Sequence, residues 1–207
     1  MSTSATLAPL PDFERIYQDA AGDRSRIPWS RGGPDPALLE WLDRDAPALL
    51  RTGCRTIVPG CGLGDDARAL LHRGYDVVGF DLSETAIEWA REIEPADARR
   101  FCVGDLFSPP SRWIHRFDLV TDCFCLQSLP PAVQPAGMAA LANLLSPHGL
   151  LVLVGHVGDR PAREVDGPPW PIARGDAERM AKEAGLRTVS VDVALEGSRL
   201  RAVFSRA

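Results

Sequence analysis

Pro59-Gly60-Cys61-Gly62-Leu63-Gly64 is the stretch of this sequence best suited to holding a ligand. Glycines in such a turn let backbone approach a bound molecule closely. A dinucleotide fingerprint needs glycine at its first, third and sixth places, and the sixth place here is Asp65. A pyrophosphate at the helix start that follows would face Asp65 and Asp66. S-adenosylmethionine has no phosphate and carries a cation, so acids such as Asp66 are tolerable beside it. Asp81, further on, is placed to accept both hydroxyls of a ribose, with a strand-end cap as its plain alternative. Leu82 beside it would pack on an adenine face. In Gly104-Asp105-Leu106-Phe107, Asp105 can accept an adenine amino group while the Leu106 amide donates to a ring nitrogen. The plain alternative for Asp105 is an Asx-turn.

A second constellation is Asp118-Leu-Val-Thr-Asp122-Cys123-Phe124-Cys125, followed at a distance by His156. Cys123 and Cys125 would share a face if their strand continued. Two thiols and one imidazole lack the fourth ligand that structural zinc takes, so no metal is expected. The expectation is of buried thiols lining a pocket. His72, His115 and His148 have no partners at useful spacing and read as structural.

These residues need elements to hold them at one place. Thr56–Pro59, Asp76–Asp81, Arg100–Val103, Phe117–Cys123 and Leu150–His156 read as strands, the runs between them as helices. Helices are expected over Asp12–Ala21, Asp35–Leu50, Asp65–His72, Ser83–Glu94, Pro131–Leu145 and Gly175–Ala184. Ser83 is a natural N-cap with Glu84 in the first turn. Alternating strands and helices imply an α/β fold, a doubly wound parallel sheet covered on both faces. Val189–Val193 and Arg199–Phe204 are separated only by Leu195-Glu196-Gly197-Ser198, which forces an antiparallel hairpin. A seven-stranded, Rossmann-like sheet closed this way is the usual plan of class I methyltransferases, by analogy of fold. The site residues then fall at strand ends along one edge.

The chain has 207 residues, one domain's worth, with residues 1–50 as tail and lid and 51–207 as core. Residues 1–11 read as a loose tail, and Arg26–Pro36 as a Pro/Gly loop. At 45% hydrophobic and 25% charged residues the chain can fold without staples. A net charge of −5 argues against a nucleic-acid binder. No apolar run is long enough to span a membrane, and the start lacks the pattern of a signal peptide. Five cysteines without framework spacing indicate reduced thiols and a cytoplasmic location. A monomer acting on a small molecule is expected.

The stretch VPGCGLGDDARALLHRGYDVVGFDLSETAIEWA resembles the thiopurine and plant thiol/halide methyltransferases. Many class I enzymes place an acid where Val58 stands; this family instead carries Val-Pro and a Cys-Gly pair, as Val58-Pro59-Gly60-Cys61-Gly62 does. Pro28-Trp29 with Gly33-Pro34 and Pro36, and Gly167-Pro168-Pro169-Trp170, agree as well, so the resemblance covers about residues 13–193. It implies S-adenosylmethionine as cofactor and Trp29 as part of a lid over it, where an aromatic face attracts a sulfonium. It implies that the exit of the Asp122 strand lies between cofactor and acceptor. Asp122 matches a family aspartate, while Cys123 and Cys125 replace residues that vary. Trp170 falls on the acceptor side, as a wall or as a core plug.

Methyl transfer from a sulfonium is an in-line displacement, so the protein chiefly aligns the partners and excludes water. A hydroxyl or amine acceptor needs a base, for which Asp122 or His156 would serve. No His–acid pair stands out at the strand exit. The sequence therefore favours a small thiol, or a related soft nucleophile such as a halide or selenol, received by Cys125, His156 and Trp170. An O- or N-methyltransferase on the same scaffold is the alternative. A cofactor-binding module without catalysis is the third reading, opposed by the intact set Gly60, Gly62, Asp81 and Asp105.

Overall fold

The computed structural model describes residues 12–160 and 167–206; the tail expected over 1–11 and part of the loop after the fifth strand lie outside them. In chain order the elements are α1 (Phe13–Ala20), α2 (Pro36–Arg44), α3 (Ala46–Leu49), β1 (Arg55–Pro59), α4 (Asp65–Leu71), β2 (Asp76–Asp81) and α5 (Glu84–Ile93). Then come β3 (Phe101–Val103), β4 (Phe117–Cys123), α6 (Gln134–Leu144), β5 (Leu145–Gly158), β6 (Ile172–Ala173), α7 (Arg174–Glu183), β7 (Leu186–Ala194) and β8 (Arg199–Arg206). The sheet runs β3-β2-β1-β4-β5-β8-β7, and the two-residue β6 pairs with β5 off this path. Pairings from β3 to β5 are parallel; β8 is antiparallel to both β5 and β7. The doubly wound sheet with its closing hairpin is therefore present, with β6 as an unexpected eighth strand.

Alternation along the strands sorts the core into two layers. Ile57, Val120, Leu151, Leu153, Ala202 and Phe204 face one way, onto Met138 and Leu141 of α6 and Met180 of α7. Val58, Leu119, Val152, Val154 and Val203 face the other, onto Leu38 and Trp41 of α2, Leu70 of α4 and Ile87 of α5. Both faces are covered, which is why the central strands are continuous apolar runs.

Three boundaries differ from expectation for local reasons. The single helix expected over Asp35–Leu50 is two, because Pro47 in the first turn of α3 has no N–H to carry the α2 ladder onward. The helix expected from Pro131 starts at Gln134, with Pro135 in its first turn. β5 begins at Leu145, and Pro147-His148-Gly149 form an irregularity inside it as the register with β4 shifts between Phe117 and Leu119. A Cβ at Gly149 would stand 2.7 Å from the Phe117 carbonyl oxygen, so that crossing requires glycine.

Candidate functional site

The carboxyl ends of β1 to β5 share one edge with the start of β8, where Arg199 pairs with His156. On the β1–β3 side, Gly60, Gly62 and Gly64 all have positive φ (60°, 52° and 80°) and wind the chain from Pro59 into α4. The Cys61 amide donates to the Phe80 carbonyl at 3.0 Å, tying the turn to β2. The Cys61 side chain lies beside Gly79, and burial above all pushes its thiol far up. Asp81 ends β2. Its Oδ2 accepts the Gly62 amide at 2.8 Å and its Oδ1 the Ser83 amide at 3.0 Å. Burial raises its pKa despite these backbone donors and the nearby Leu82 amide. Each carboxylate oxygen keeps a further lone pair for a hydroxyl.

Leu82 is 66% exposed at the end of β2, with exposed Val103 at the end of β3 and exposed Phe107 beyond it. Exposed apolar side chains grouped around a strand-end acid suit a flat apolar base with a sugar beside it. Asp105 is exposed between them and makes an Asx-turn, its Oδ1 accepting the Phe107 amide at 2.8 Å. Leu106 turns its side chain into the core. Asp65 is held by Arg24 and Arg68, leaving no bare cation there for a phosphate. The set fits S-adenosylmethionine: Asp81 for the ribose, the Leu82–Phe107 edge for the adenine, and no phosphate cradle.

The N-terminal segment closes over the glycine turn. Trp29 is 41% exposed and meets Phe13 and Tyr17 edge-on, at 5.6 and 5.7 Å between ring centroids. Its indole N–H donates to the Tyr17 hydroxyl at 3.1 Å. Tyr17 is buried, and burial together with the Asp81 charge drives its phenol pKa up.

On the β4–β5 side, β4 ends at Cys123 and Phe124 takes a left-handed conformation (φ 67°). That breaks the alternation, so Cys123 and Cys125 do not share a face as expected. Cys123 lies by the Asp66 carboxylate, whose charge adds to the rise of its thiol, whereas Cys125 packs under Gly60, where a Cβ would stand 2.8 Å from its sulfur. Burial raises both thiols well above their ordinary range. Among the described residues no three His, Cys, Asp or Glu side chains gather as metal ligands. Asp66 looks inward: its Oδ1 accepts the Asp35 amide at 2.7 Å, so its protein partners are the α2 cap and the β4 exit.

Asp122 is fully buried. One oxygen accepts the Leu126 amide at 3.0 Å; the other has no hydrogen-bond partner among the described residues. Burial pushes its pKa up to about 7. Around Phe124 stand the Arg31 and Arg199 guanidiniums, 4.8 and 5.2 Å from the ring centroid, and the His156 ring at 5.1 Å. Asp35, fully buried, takes both cations on one oxygen, at 2.9 Å from Arg31 and 3.3 Å from Arg199. Arg199 also points Nη1 at His156 Nδ1, 3.4 Å away. Burial, then the Arg199 and Arg31 charges, holds this imidazole below its usual pKa.

Trp170 is 1% exposed, with its amide donating to the Gln127 carbonyl at 2.8 Å. Its ring is buried, which is the placement the plug reading expects. Sequence reasoning missed Tyr17, Gln127 and the Arg31–Asp35–Arg199 group. Gln127 accepts the His156 amide at 2.7 Å and donates to the His156 carbonyl at 2.6 Å, clamping the exit of β5. Gly155 makes room for it; a Cβ there would stand 2.6 Å from the Gln127 amide carbon. Tyr17 and Glu14, one helical turn apart, were the legible signal in α1. Nothing local marks Arg199, because its position depends on the β5–β8 register.

The sequence model of the thiopurine S-methyltransferase family matches residues 20–202. The chain is 30% identical to thiocyanate methyltransferase 1 of Brassica oleracea over 87% of its own length and 75% of that protein's. It is 29% identical to a thiopurine S-methyltransferase of Pseudomonas fluorescens over 68% of its own length and 70% of that protein's. A solved structure from work on the conversion of a disulfide bond into a thioacetal group during echinomycin biosynthesis superposes with TM-score 0.74. It has 26% identity over 96% of this chain and 93% of the other. A Burkholderia thailandensis 1,6-didemethyltoxoflavin-N1-methyltransferase with bound S-adenosylhomocysteine shares the fold at TM-score 0.73 and 19% identity, covering 98% and 92%.

Proposed function

Because this chain belongs to the thiopurine S-methyltransferase family and is an S-adenosylmethionine-dependent methyltransferase, we propose that its acceptor is a small-molecule thiol methylated as the thiolate. Bound S-adenosylmethionine supplies an electrophilic methyl group on a sulfonium. The protein's part is to align the two partners and keep water out.

The Arg31–Asp35–Arg199 group beside Phe124 carries this reading. Two guanidiniums share one carboxylate oxygen at the β4–β5 edge, next to the donor side. A cation near a thiol favours the thiolate. Nearby proton acceptors are poorly placed for activating a hydroxyl or amine. His156 has its Nδ1 turned to Arg199, and Asp122 is buried with one oxygen committed to a backbone amide. The same cationic edge would receive other soft anions such as a halide, and a relative's name includes thiocyanate. Trp29 covers the donor, and Cys125 packs between the donor turn and the acceptor edge. The five cysteines are free thiols, which accords with a cytoplasmic location. No helix among the described residues is long and apolar enough to cross a membrane.

The unpartnered Asp122 oxygen, with a pKa near 7, supports the second reading, an O- or N-methyltransferase with Asp122 as base. Rate against pH for two thiols of different acidity separates the two. Under the first reading each profile bends at its own thiol's pKa. A common bend near 7 for both would move the base reading ahead.

A further inference from the structure

Both oxygens of Asp81 are held by backbone amides, and α1 grips both residues that supply them. Oδ2 takes Gly62, and the Tyr17 hydroxyl presses on Gly62 so closely that a Cβ there would stand 2.7 Å from it. Oδ1 takes Ser83, and the Glu14 carboxylate accepts the Ser83 hydroxyl at 2.6 Å. Glu14 also accepts the Thr85 hydroxyl at 2.5 Å and the Thr85 amide at 3.3 Å, and Gln18 steadies it at 2.8 Å. Residues 14 and 17 are three apart and so lie on one face of α1. The Ser83 hydroxyl meanwhile caps α5 by accepting the Ala86 amide at 3.0 Å. These bonds to Ser83 and Thr85 are the largest influence holding the Glu14 carboxyl below its ordinary pKa.

Helix docking alone would need only the apolar seat that Tyr17, Ala20, Ile27, Leu63 and Ala86 already provide. A carboxylate spending its acceptors on the two residues that flank the start of α5 does something more specific. We propose that Glu14 is a positioning residue for the donor. It fixes Ser83, and through the Ser83 amide the Asp81 carboxylate, so that seating α1 and binding S-adenosylmethionine are one coupled equilibrium. The inference rests on Asp81 taking the ribose. Coupling of this kind is reciprocal: if a seated α1 raises donor affinity, bound donor must hold α1 seated.

Calorimetry with S-adenosylhomocysteine and limited trypsin digestion at the exposed Arg15 test both directions. Glu14→Ala should raise Kd about tenfold. Glu14→Gln, which keeps one acceptor oxygen and so can serve only one of the two hydroxyls, should fall between. Asp19→Ala, on the exposed face of the same helix, should bind as wild type. Adding Thr85→Ala to Glu14→Ala should weaken binding little further, because the pair acts as a unit. S-adenosylhomocysteine should slow cleavage at Arg15 in the wild type and lose most of that effect in Glu14→Ala. Wild-type affinity in Glu14→Ala, or protection by ligand equal to wild type, would overturn the proposal alone. Wild-type affinity in Asp81→Ala would overturn the ribose assignment and the proposal with it.

Discussion

Asp35 and Arg199 lie 164 residues apart in the chain and meet at 3.3 Å, Arg199 Nε to the Oδ2 that also takes Arg31. Asp35 has a second task, capping α2 by accepting the Ala37 amide at 2.8 Å on its other oxygen. One buried carboxylate thus fixes the start of α2 and holds both guanidiniums at the β4–β5 edge. Removing it would leave two guanidiniums facing each other and an uncapped helix, so Asp35 and the cations must be tested separately.

Arg199→Gln should lower kcat/KM for a thiol about tenfold, the size of one weakened charge interaction of roughly 1.4 kcal/mol. It should leave S-adenosylhomocysteine affinity unchanged, because the residue lies on the β5–β8 side of the sheet. The bend of the kcat–pH profile, which reports the bound thiol, should move upward, since the bound thiolate loses a stabilising cation. A bend that stays put would mean Arg199 serves only to hold Asp35.

At the ribose end, Asp81→Ala should weaken S-adenosylhomocysteine binding by about 1–3 kcal/mol, since it strips partners from buried polar groups. Isothermal calorimetry reads this directly, and the acceptor KM provides the contrast.

The pKa of Asp122, near 7 in the folded chain against an ordinary 3.8, makes stability depend on pH. The unfolded chain releases this proton near pH 4 and the folded chain holds it until about 7. Stability should therefore fall as pH rises between those values and level off above them. Asp122→Asn keeps an oxygen for the Leu126 amide and removes the ionisation. Its stability against urea should gain on the wild type as pH rises from 5 towards 7, by roughly 1.4 kcal/mol for each pH step of one. Thiol turnover should survive; its loss in a folded Asp122→Asn would favour the base reading.

Trp170→Ala should act first on stability. A tryptophan with 1% exposure leaves a large cavity, and a loss of about 3–5 kcal/mol is expected from equilibrium unfolding in urea. If instead the variant is as stable as wild type and fails only in acceptor turnover, the ring moves out to meet the acceptor in the working enzyme.

Much of the donor side was legible along the chain. The glycine turn, the strand-end Asp81 and the cap at Ser83 are local patterns, set by turn chemistry and by where a strand stops. Asp105 was legible in both its readings, and the Asx-turn it makes is the plain one. The acceptor side was not legible in the same way. β4 ends at Cys123 as its pattern implied, but the left-handed turn at Phe124, which places Cys125 under Gly60, has no local signal.

By itself the sequence determined the alternation of the main strands and helices, the closing hairpin and the glycine turn after β1. Those depend on periodicity, on glycine and proline, and on spacings of a few residues. The tertiary structure alone decided which side chains meet: Asp35 with Arg31 and Arg199, Gln127 with His156, Glu14 with Ser83 and Thr85. It also decided burial, sealing Trp170 and Asp122 inside. Such contacts depend on strand register and on the packing of layers from distant parts of the chain. A charge or ring acquires its role from neighbours that no local pattern names.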